Sequence, residues 1–342
     1  MIRALNLIEN ADLRPFNSFG IHERARRLVC VDTDAALRAA LALAVEHSWP
    51  VTLLGGGSNV LLSGPVDGLV IALRTRGRHI VQRGAGGVVV EGEAGENWHA
   101  LVNWTLDQGL SGLENLSLIP GTLGAAPVQN IGAYGVELKD SFESLEALDR
   151  HSGQIIRFSR DECCFAYRDS LFKRMAGRYV ILRVRLRLAV TAQLKVDYAP
   201  LAAAWQATGL RRPDARVVSE LVCQIRRSKL PDPAVLGNAG SFFQNPLVSR
   251  QQLERLLIEH PQLPHYPQAD GQFKVAAGWL IEKAGWKGYR EGNVGVHSEQ
   301  ALVLVNLAAA RGAEILALAE RVRQDIWTRF GLALEIEPQR IG

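Results

Sequence analysis

Between Ile119 and Gly135 the chain reads IPGTLGAAPVQNIGAYG. Two prolines and four glycines in seventeen residues rule out a regular helix or strand. A stretch this long with no regular structure is uncommon inside a compact domain. It is either a packed Ω-loop or a segment with a function. Any fold for this chain must place ordered elements on both sides of it.

Upstream, strand and helix signals alternate. RLVCV (Arg27 to Val31) predicts a strand. TDAALRAALALAVEHSW opens on a capping residue, Thr33 or Asp34, and predicts a helix. PVTLLGGGSNVLLS follows as strand, glycine turn and further apolar chain. This strand–helix–strand order predicts a small α/β unit. LVIAL, RHIVQR and GGVVVEGEAG then predict strands between Gly68 and Gly95, and a helix is predicted over Asn97 to Gln108.

Downstream, SLEALDR and GQIIRFS predict a hairpin turning near His151 to Gly153. YVILRVRLRLAV, Tyr179 to Val190, alternates at period two and predicts a long strand. Its run Arg183, Arg185, Arg187 reads as the wet face of that strand. VVSELVCQIRRSKLPDP predicts a helix ended by the Pro231–Pro233 segment. Further helices are predicted over Arg250 to His260, Ala276 to Ala284 and Ala313 to Phe330, with ALVLVNL a strand between the last two. The closing LALEIEPQRIG predicts a strand running back to the rest. A domain boundary is placed near Lys229 to Asn238.

At 342 residues the chain is expected to form two or three domains, and 47% hydrophobic against 22% charged residues is a globular profile. A net charge of +4 is too mild to imply nucleic acid. It suits an anionic small substrate. The basic runs RARR, RVRLR and QIRRSK are short. Cys30, Cys163, Cys164 and Cys223 form no CxxC pair and no metal-ligand cluster, so reduced thiols and no metal are expected. MIRALNLIENADLRPF lacks the apolar core of a signal peptide, and charged residues interrupt every apolar run. A cytoplasmic protein that does not enter the membrane is the expectation.

Candidate chemistry concentrates in a few places. LLGGGSN, Leu53 to Asn59, offers glycine backbone to phosphate oxygens, or is a simple turn. It is neither a P-loop nor a GxGxxG fingerprint. The second glycine-rich loop extends the same property, with Gln129 and Asn130 supplying amides. Two such loops point to a large phosphate-bearing cofactor. In GNAGSFFQNP, Ser241 is a nucleophile, a proton donor or a turn residue. No GxSxG elbow surrounds it. Arg168 in FAYRDSLFK reads locally as the ion-pair partner of Asp169, and His297 in GVHSEQ as a packing or surface histidine. Glu335 and Glu337 alternate with Leu332, Leu334 and Ile336, so the acids share one face of the predicted strand.

GGGSN, IPGTLGAAPVQNIGAYGVE, YRDSLFK, KLPDP and GNAGSFFQNP occur in that order. Together they resemble the UDP-N-acetylenolpyruvoylglucosamine reductases of peptidoglycan synthesis, from about Asn17 to Gly342. VDY (Val196 to Tyr198) and KLPDP resemble the subgroup with an extra tyrosine loop. The resemblance implies an α+β flavoprotein with an FAD-binding fold of the vanillyl-alcohol-oxidase type in two subdomains, plus a C-terminal α+β substrate domain. The implied segments are 1–75 with the terminal strand 332–342, 76–228 with a tyrosine loop near 191–215, and 229–331.

By position, the resemblance assigns FAD contacts to Gly55, Gly56, Gly57, Ser58, Asn59, Pro120, Gly121, Gly124, Ala125, Gln129, Asn130 and Gly132. Tyr134, Tyr198, Lys229 and Asn245 would meet substrate. Arg168, Ser241 and Glu337 take the catalytic positions. The family's end commonly reads Leu-Glu-Pro-Glu-Val-Arg. Here EIEPQR places Pro338 and Gln339 after the aligned Glu337, with Glu335 as the alternative acid and Arg340 in place of the usual arginine. The implied reaction uses NADPH as co-substrate. It adds hydride to the enolpyruvyl β-carbon and a proton from Ser241 to the α-carbon, with Arg168 and Glu337 stabilising an enediolate-like carboxylate. A monomer is expected. Two rival readings are another flavin enzyme on this fold, such as an oxidase, and a non-catalytic nucleotide-binding protein.

Overall fold

A computed structural model describes residues 5–191, 194–212, 214–268 and 270–342. The chain divides into two units. The first comprises Met1–Ala11, Ala25–Gly56 and Asp67–Ser228; the second comprises Asp12–Arg24, Gly57–Val66 and Lys229–Gly342.

The chain opens with β1 (Ile8–Asp12), β2 (Arg24–Val31), α1 (Asp34–Glu46) and β3 (Val51–Leu54); β4 (Val60–Leu62) belongs to the second unit, and β5 (Leu69–Leu73) follows. A four-stranded sheet runs in the order β1-β2-β5-β3, with β2 and β3 parallel to β5. This is the predicted α/β unit. Thr33 caps α1, its hydroxyl accepting the Ala36 N–H at 3.1 Å. Leu37, Ala40 and Ala44 of α1 bury against Val29, Val31, Leu69 and Ile71. Burial on both faces explains why β5 is an unbroken apolar run.

The first unit continues through β6 (Arg78–Gly84), β7 (Gly87–Glu93), α2 (Trp98–Asp107), β8 (Gly132–Ala133), β9 (Val136–Glu137), β10 (Phe142–Asp149), β11 (Ile155–Ser159), α3 (Leu171–Arg174), β12 (Tyr179–Leu188), α4 (Ala199–Ala207) and α5 (Ala215–Lys229). A second sheet, antiparallel throughout, has the order β11-β10-β12-β7-β6. Ala192, Gln193 and Pro213 of the expected tyrosine-loop segment lie outside the described residues.

In β12 the register slips: Glu146 faces Arg183, but the next residue, Ala147, faces Ile181. Leu182 is the extra residue of this bulge. A bulge reverses which parity faces which side. Val184, Leu186 and Leu188 therefore join Ile181 in the core under α2, while Val180 and Leu182 face α1. Arg183, Arg185 and Arg187 are left on the side of α1. They are not simply wet, as the alternation predicted. Arg183 reaches Asp34 at 2.8 Å, Glu146 at 2.9 Å and Glu93 at 3.2 Å; Arg185 reaches Glu91 at 2.5 Å and Arg187 reaches Glu143 at 2.6 Å. Burial works against the Arg183 charge, but its bonds to Glu146 and Asp34 outweigh that and hold it protonated.

The second unit contains β13 (Leu247–Val248), α6 (Arg250–Glu259), β14 (His265–Pro267), β15 (Phe273–Val275), α7 (Ala277–Lys283), β16 (Arg290–Glu291), β17 (Val294–Val296), β18 (Leu304–Asn306), α8 (Gly312–Phe330) and β19 (Gln339–Ile341). Its small sheets run β13-β15-β14, β16-β17-β18 and β19-β4. Two strand expectations are corrected. ALVLVNL is a strand only over Leu304–Asn306, because the Val303 N–H turns back to the Gln300 carbonyl. The terminal segment is a strand only over Gln339–Ile341, parallel to β4. Pro338 supplies no N–H, and the chain changes partners there: Ile336 bridges Phe243 before the proline, and Gln339 pairs with Val60 after it. Among the described residues no helix is long and apolar enough to cross a membrane.

Candidate flavin and substrate site

The two glycine-rich loops, separate in sequence, meet in the first unit. A Cβ on Gly55 would lie 2.4 Å from Thr122 Oγ1, and one on Gly56 would lie 2.7 Å from Gly121 Cα. At Gly56 backbone therefore packs on backbone, which only glycine permits. Gly121 sits at φ +115°, so its conformation also favours glycine. Among the described residues no hydrogen bond leaves the N–H of Gly56 or Gly121. Such donors on glycine backbone suit phosphate oxygens. Pro120 and Ala125 lie on the exposed edge of the loop, whereas Gly124 is buried. A Cβ on Gly124 would lie 2.5 Å from Ala94 Cβ, so its glycine is demanded by packing. Asn130 is also fully buried. Its amide donates to Glu137 Oε2 and the Ala166 carbonyl, and its Oδ1 accepts the Lys139 N–H. Its N–H donates to the Pro127 carbonyl at 3.3 Å, so these groups of Asn130 are all engaged within the protein.

After the loop the chain brings Tyr134, Arg168 and Tyr198 together with α5. Arg168 Nη2 donates to the Gly132 carbonyl at 3.1 Å. Asp169 pairs with Arg174, not with Arg168 as the local spacing predicted, because the turn into α3 carries Arg174 back over it. Tyr134 and Tyr198 pack edge to face at 5.7 Å. Burial pushes the Tyr134 phenol up, with Arg226 opposing and Tyr198 adding to the shift. Tyr134 also packs against Leu201, Val218 and Val222.

Sequence reasoning missed two residues here. Asn115 is buried and donates to the carbonyls of Tyr134 and Lys195, tying together the segments that carry Tyr134 and Tyr198. Arg226 follows Ser219, Val222 and Cys223 at helical spacing on the buried stripe of α5. That spacing inside QIRRSK was the available signal.

In the second unit, GNAGSFFQNP lies beside the terminal segment. Glu337 N–H donates to the Phe242 carbonyl at 2.9 Å, and Gln244 N–H donates to the Glu335 carbonyl at 2.9 Å. This antiparallel pairing puts Phe242 opposite Glu337 and joins the segment that carries Ser241 to the terminal segment. Phe242 and Phe243 are fully buried and fix the backbone on either side of the pairing. Ser241 is part-buried, and among the described residues its hydroxyl has no hydrogen bond. Asn59 Nδ2 donates to the Glu337 carbonyl at 3.4 Å, and Gln339 N–H donates to the Asn59 carbonyl at 2.9 Å. The end of the first glycine turn is thus tied to the catalytic candidate Glu337. Gly57 is held at φ +64°, where a Cβ would strike the Phe16 carbonyl at 1.9 Å. Asn245 Oδ1 accepts the Ala277 N–H at 2.9 Å and so caps α7. Lys229 is exposed at the end of α5.

Other groups take no part. His297 accepts the Glu299 N–H in a turn, and burial lowers its basicity. The Cys163 thiol is pushed up to about 12 by burial and the neighbouring Cys164, which makes it inert. All four cysteines are free, and among the described residues no cluster of His, Cys, Asp and Glu is arranged for a metal.

An α/β unit with paired glycine loops and a separate α+β unit define an FAD-dependent oxidoreductase of the vanillyl-alcohol-oxidase type. Residues 25–159 match the FAD binding domain family, and residues 232–341 match the family described as UDP-N-acetylenolpyruvoylglucosamine reductase, C-terminal domain. The UDP-N-acetylenolpyruvoylglucosamine reductase of Pseudomonas aeruginosa is 57% identical over 335 residues, covering 98% of this chain and 99% of that protein. The reductase of an Azoarcus species is 51% identical over 98% of this chain and 97% of its own length. The crystal structure of the Thermus caldophilus reductase superposes with a TM-score of 0.68 at 25% identity, each chain covered in full. The chain belongs to the UDP-N-acetylenolpyruvoylglucosamine reductase family. It is an FAD-containing oxidoreductase, which removes the non-catalytic reading.

Proposed function

We propose that the protein reduces the enolpyruvyl ether of UDP-N-acetylglucosamine to UDP-N-acetylmuramate, with NADPH as reductant, as a cytoplasmic monomer. The observation that carries this reading is the backbone pairing of Phe242 and Phe243 with Ile336 and Glu337, which joins the segment carrying Ser241 to the one carrying Glu337. FAD, held by Gly55, Gly56, Gly57, Ser58, Asn59, Pro120, Gly121, Gly124, Ala125, Gln129, Asn130 and Gly132, supplies the redox chemistry when bound.

The other duties fall to the chain's own side chains. Arg168 is a permanent cation with a planar fork and suits a carboxylate on which charge accumulates. Such preorganised donors are worth about 3–4 kcal/mol at a transition state. Glu337, in its protonated form, donates a hydrogen bond to that carboxylate. Ser241 delivers a proton to the α-carbon, and the dry packing of Phe242 and Phe243 keeps its position and excludes water. Tyr134, Tyr198, Lys229 and Asn245 orient the sugar nucleotide, Lys229 as the cation for its diphosphate. On this reading the segments 1–75, 76–228 and 229–331 are the two cofactor subdomains and the substrate domain, with 332–342 returning to the core.

The test is Ser241→Ala in anaerobic stopped-flow measurements. Flavin reduction by NADPH is expected near normal, while reoxidation by the enolpyruvyl substrate slows by at least about a hundredfold. If both half-reactions stay fast, Ser241 is not the proton donor. Rapid reoxidation by oxygen without this substrate would favour the oxidase reading.

A further inference from the structure

Ser241 delivers the proton in the function above, but it has no anchor of its own. Among the described residues no hydrogen bond involves its N–H, its carbonyl or its hydroxyl. A reacting group displaced by about 1 Å loses up to about a hundredfold in rate, so the neighbours of Ser241 must set its position. On the C-terminal side they do so twice over. Phe242 is fully buried, its N–H donates to the Leu302 carbonyl at 2.7 Å, and its carbonyl accepts the Glu337 N–H at 2.9 Å. On the N-terminal side Gly240 is half-buried at φ +69°, and a Cβ there would meet no atom within 4 Å. Packing does not fix this residue. Among the described residues its one hydrogen bond runs from its N–H to Asn238 Oδ1, at 2.9 Å.

Asn238 is itself anchored from three directions. It is 2% exposed. Its Nδ2 donates to the Leu236 carbonyl at 2.8 Å and to the Pro231 carbonyl at 3.1 Å. Its backbone N–H donates to the Ser18 carbonyl at 3.1 Å, and its carbonyl accepts the Ser18 hydroxyl at 2.6 Å. Two carbonyls at one end of the amide and an N–H at the other admit a single orientation of the group. Aspartate would turn an oxygen on two carbonyls, and an apolar residue would offer Gly240 no acceptor. An asparagine that accepts the N–H two residues on closes an Asx turn. The rigidity of a buried amide is thereby passed to the one peptide beside Ser241 that packing leaves loose.

We propose that Asn238 is a positioning residue for Ser241, fixing the turn that aims the serine hydroxyl. This deepens the functional reading above, in which Ser241 protonates the α-carbon, and rests on it. The amide ends of Asn238 are engaged within the protein, so it acts through Ser241.

The test uses the FAD-loaded protein in anaerobic stopped-flow measurements, with the two half-reactions followed separately. Asn238→Ala is expected to slow flavin reoxidation by the enolpyruvyl ether of UDP-N-acetylglucosamine about 10–100-fold, while reduction by NADPH changes by less than about twofold. A residue of purely structural weight would not divide the half-reactions in this way. In a Ser241→Ala background the same substitution should change reoxidation by less than about twofold, because the group it aims is gone. Asn238→Ser, whose hydroxyl can still accept the Gly240 N–H, should fall between, and it carries the same comparison if the alanine variant does not fold. Equal slowing of both half-reactions, no slowing of either, or losses at the two positions that multiply overturns the proposal. If Ser241→Ala alone leaves reoxidation fast, the proton-donor reading falls first and the inference with it. If Ser241→Ala slows reoxidation and Asn238→Ala does not, the inference alone falls.

Discussion

Arg183→Met tests whether the charged face of the antiparallel sheet is structural. Arg183 bonds three carboxylates: Asp34 at the start of α1, Glu146 in β10 and Glu93 in β7. It is only 21% exposed, and its partners are 26–31% exposed. Bonds to charged groups are worth about 1.5–3 kcal/mol when buried and under 1 kcal/mol on an open surface. Taking about 1 kcal/mol for each of three gives about 3 kcal/mol, with Met retaining most of the apolar stem. Three carboxylates are then left facing one another.

The pH dependence follows. Burial already raises the Glu93 carboxyl above 4.5, against the opposing pull of Arg183. Without Arg183 it rises further, so the folded variant binds more protons than the unfolded chain. Stability of the variant therefore increases as pH falls towards the carboxylate range. Urea denaturation followed by circular dichroism should show a loss of about 3 kcal/mol near pH 8 that shrinks near pH 5. A loss below about 0.5 kcal/mol, or one equal at both pH values, refutes the reasoning.

Two further substitutions address the site. Gly56→Ala puts a Cβ about 1 Å too close to Gly121. Overpacking of this kind costs about 1–3 kcal/mol, so flavin titration of the apoprotein should show roughly 5–150-fold weaker binding, and unchanged affinity would mean the loops need not touch. Asn245→Ala removes the acceptor of the Ala277 N–H and should cost about 1 kcal/mol in thermal or urea unfolding, in addition to any loss of substrate affinity. If only KM moves, the cap has no structural weight.

Periodicity and capping made the regular elements legible. Thr33 and Asn97 begin their helices where their side chains accept the Ala36 and Ala100 N–H groups. The β10–β11 hairpin turns at the expected place. Failures came where a long-range partner decides the outcome. The alternation of β12 could not reveal that one extra residue, Leu182, exchanges its faces. The terminal segment looked like one strand, but two different partners share it on either side of Pro338. The site was legible only as separate motifs. No local rule says that Gly56 packs on Gly121, or that Asp169 prefers Arg174, since both are products of chain return.

Backbone strain gives an independent view of where the first unit has been shaped for something other than stability. Eight described non-glycine residues have positive φ, and five of them, Leu118, Asn130, Tyr134, Cys164 and Arg168, fall between positions 118 and 168. Asparagine tolerates this conformation, but tyrosine and arginine gain nothing from it and cost about 1 kcal/mol or more each. Glycine at either place would relieve the strain and abolish the side chain. Tyr134 is held through its carbonyl, which accepts from Asn115 Nδ2, and Arg168 through its bond to the Gly132 carbonyl and through its own carbonyl, which accepts from Lys173 Nζ at 2.8 Å. A phenol and a guanidinium are thus turned out of ordinary backbone geometry and pinned near the half-buried Arg226. That arrangement is intelligible if the aim of those two side chains matters more than the strain of presenting them.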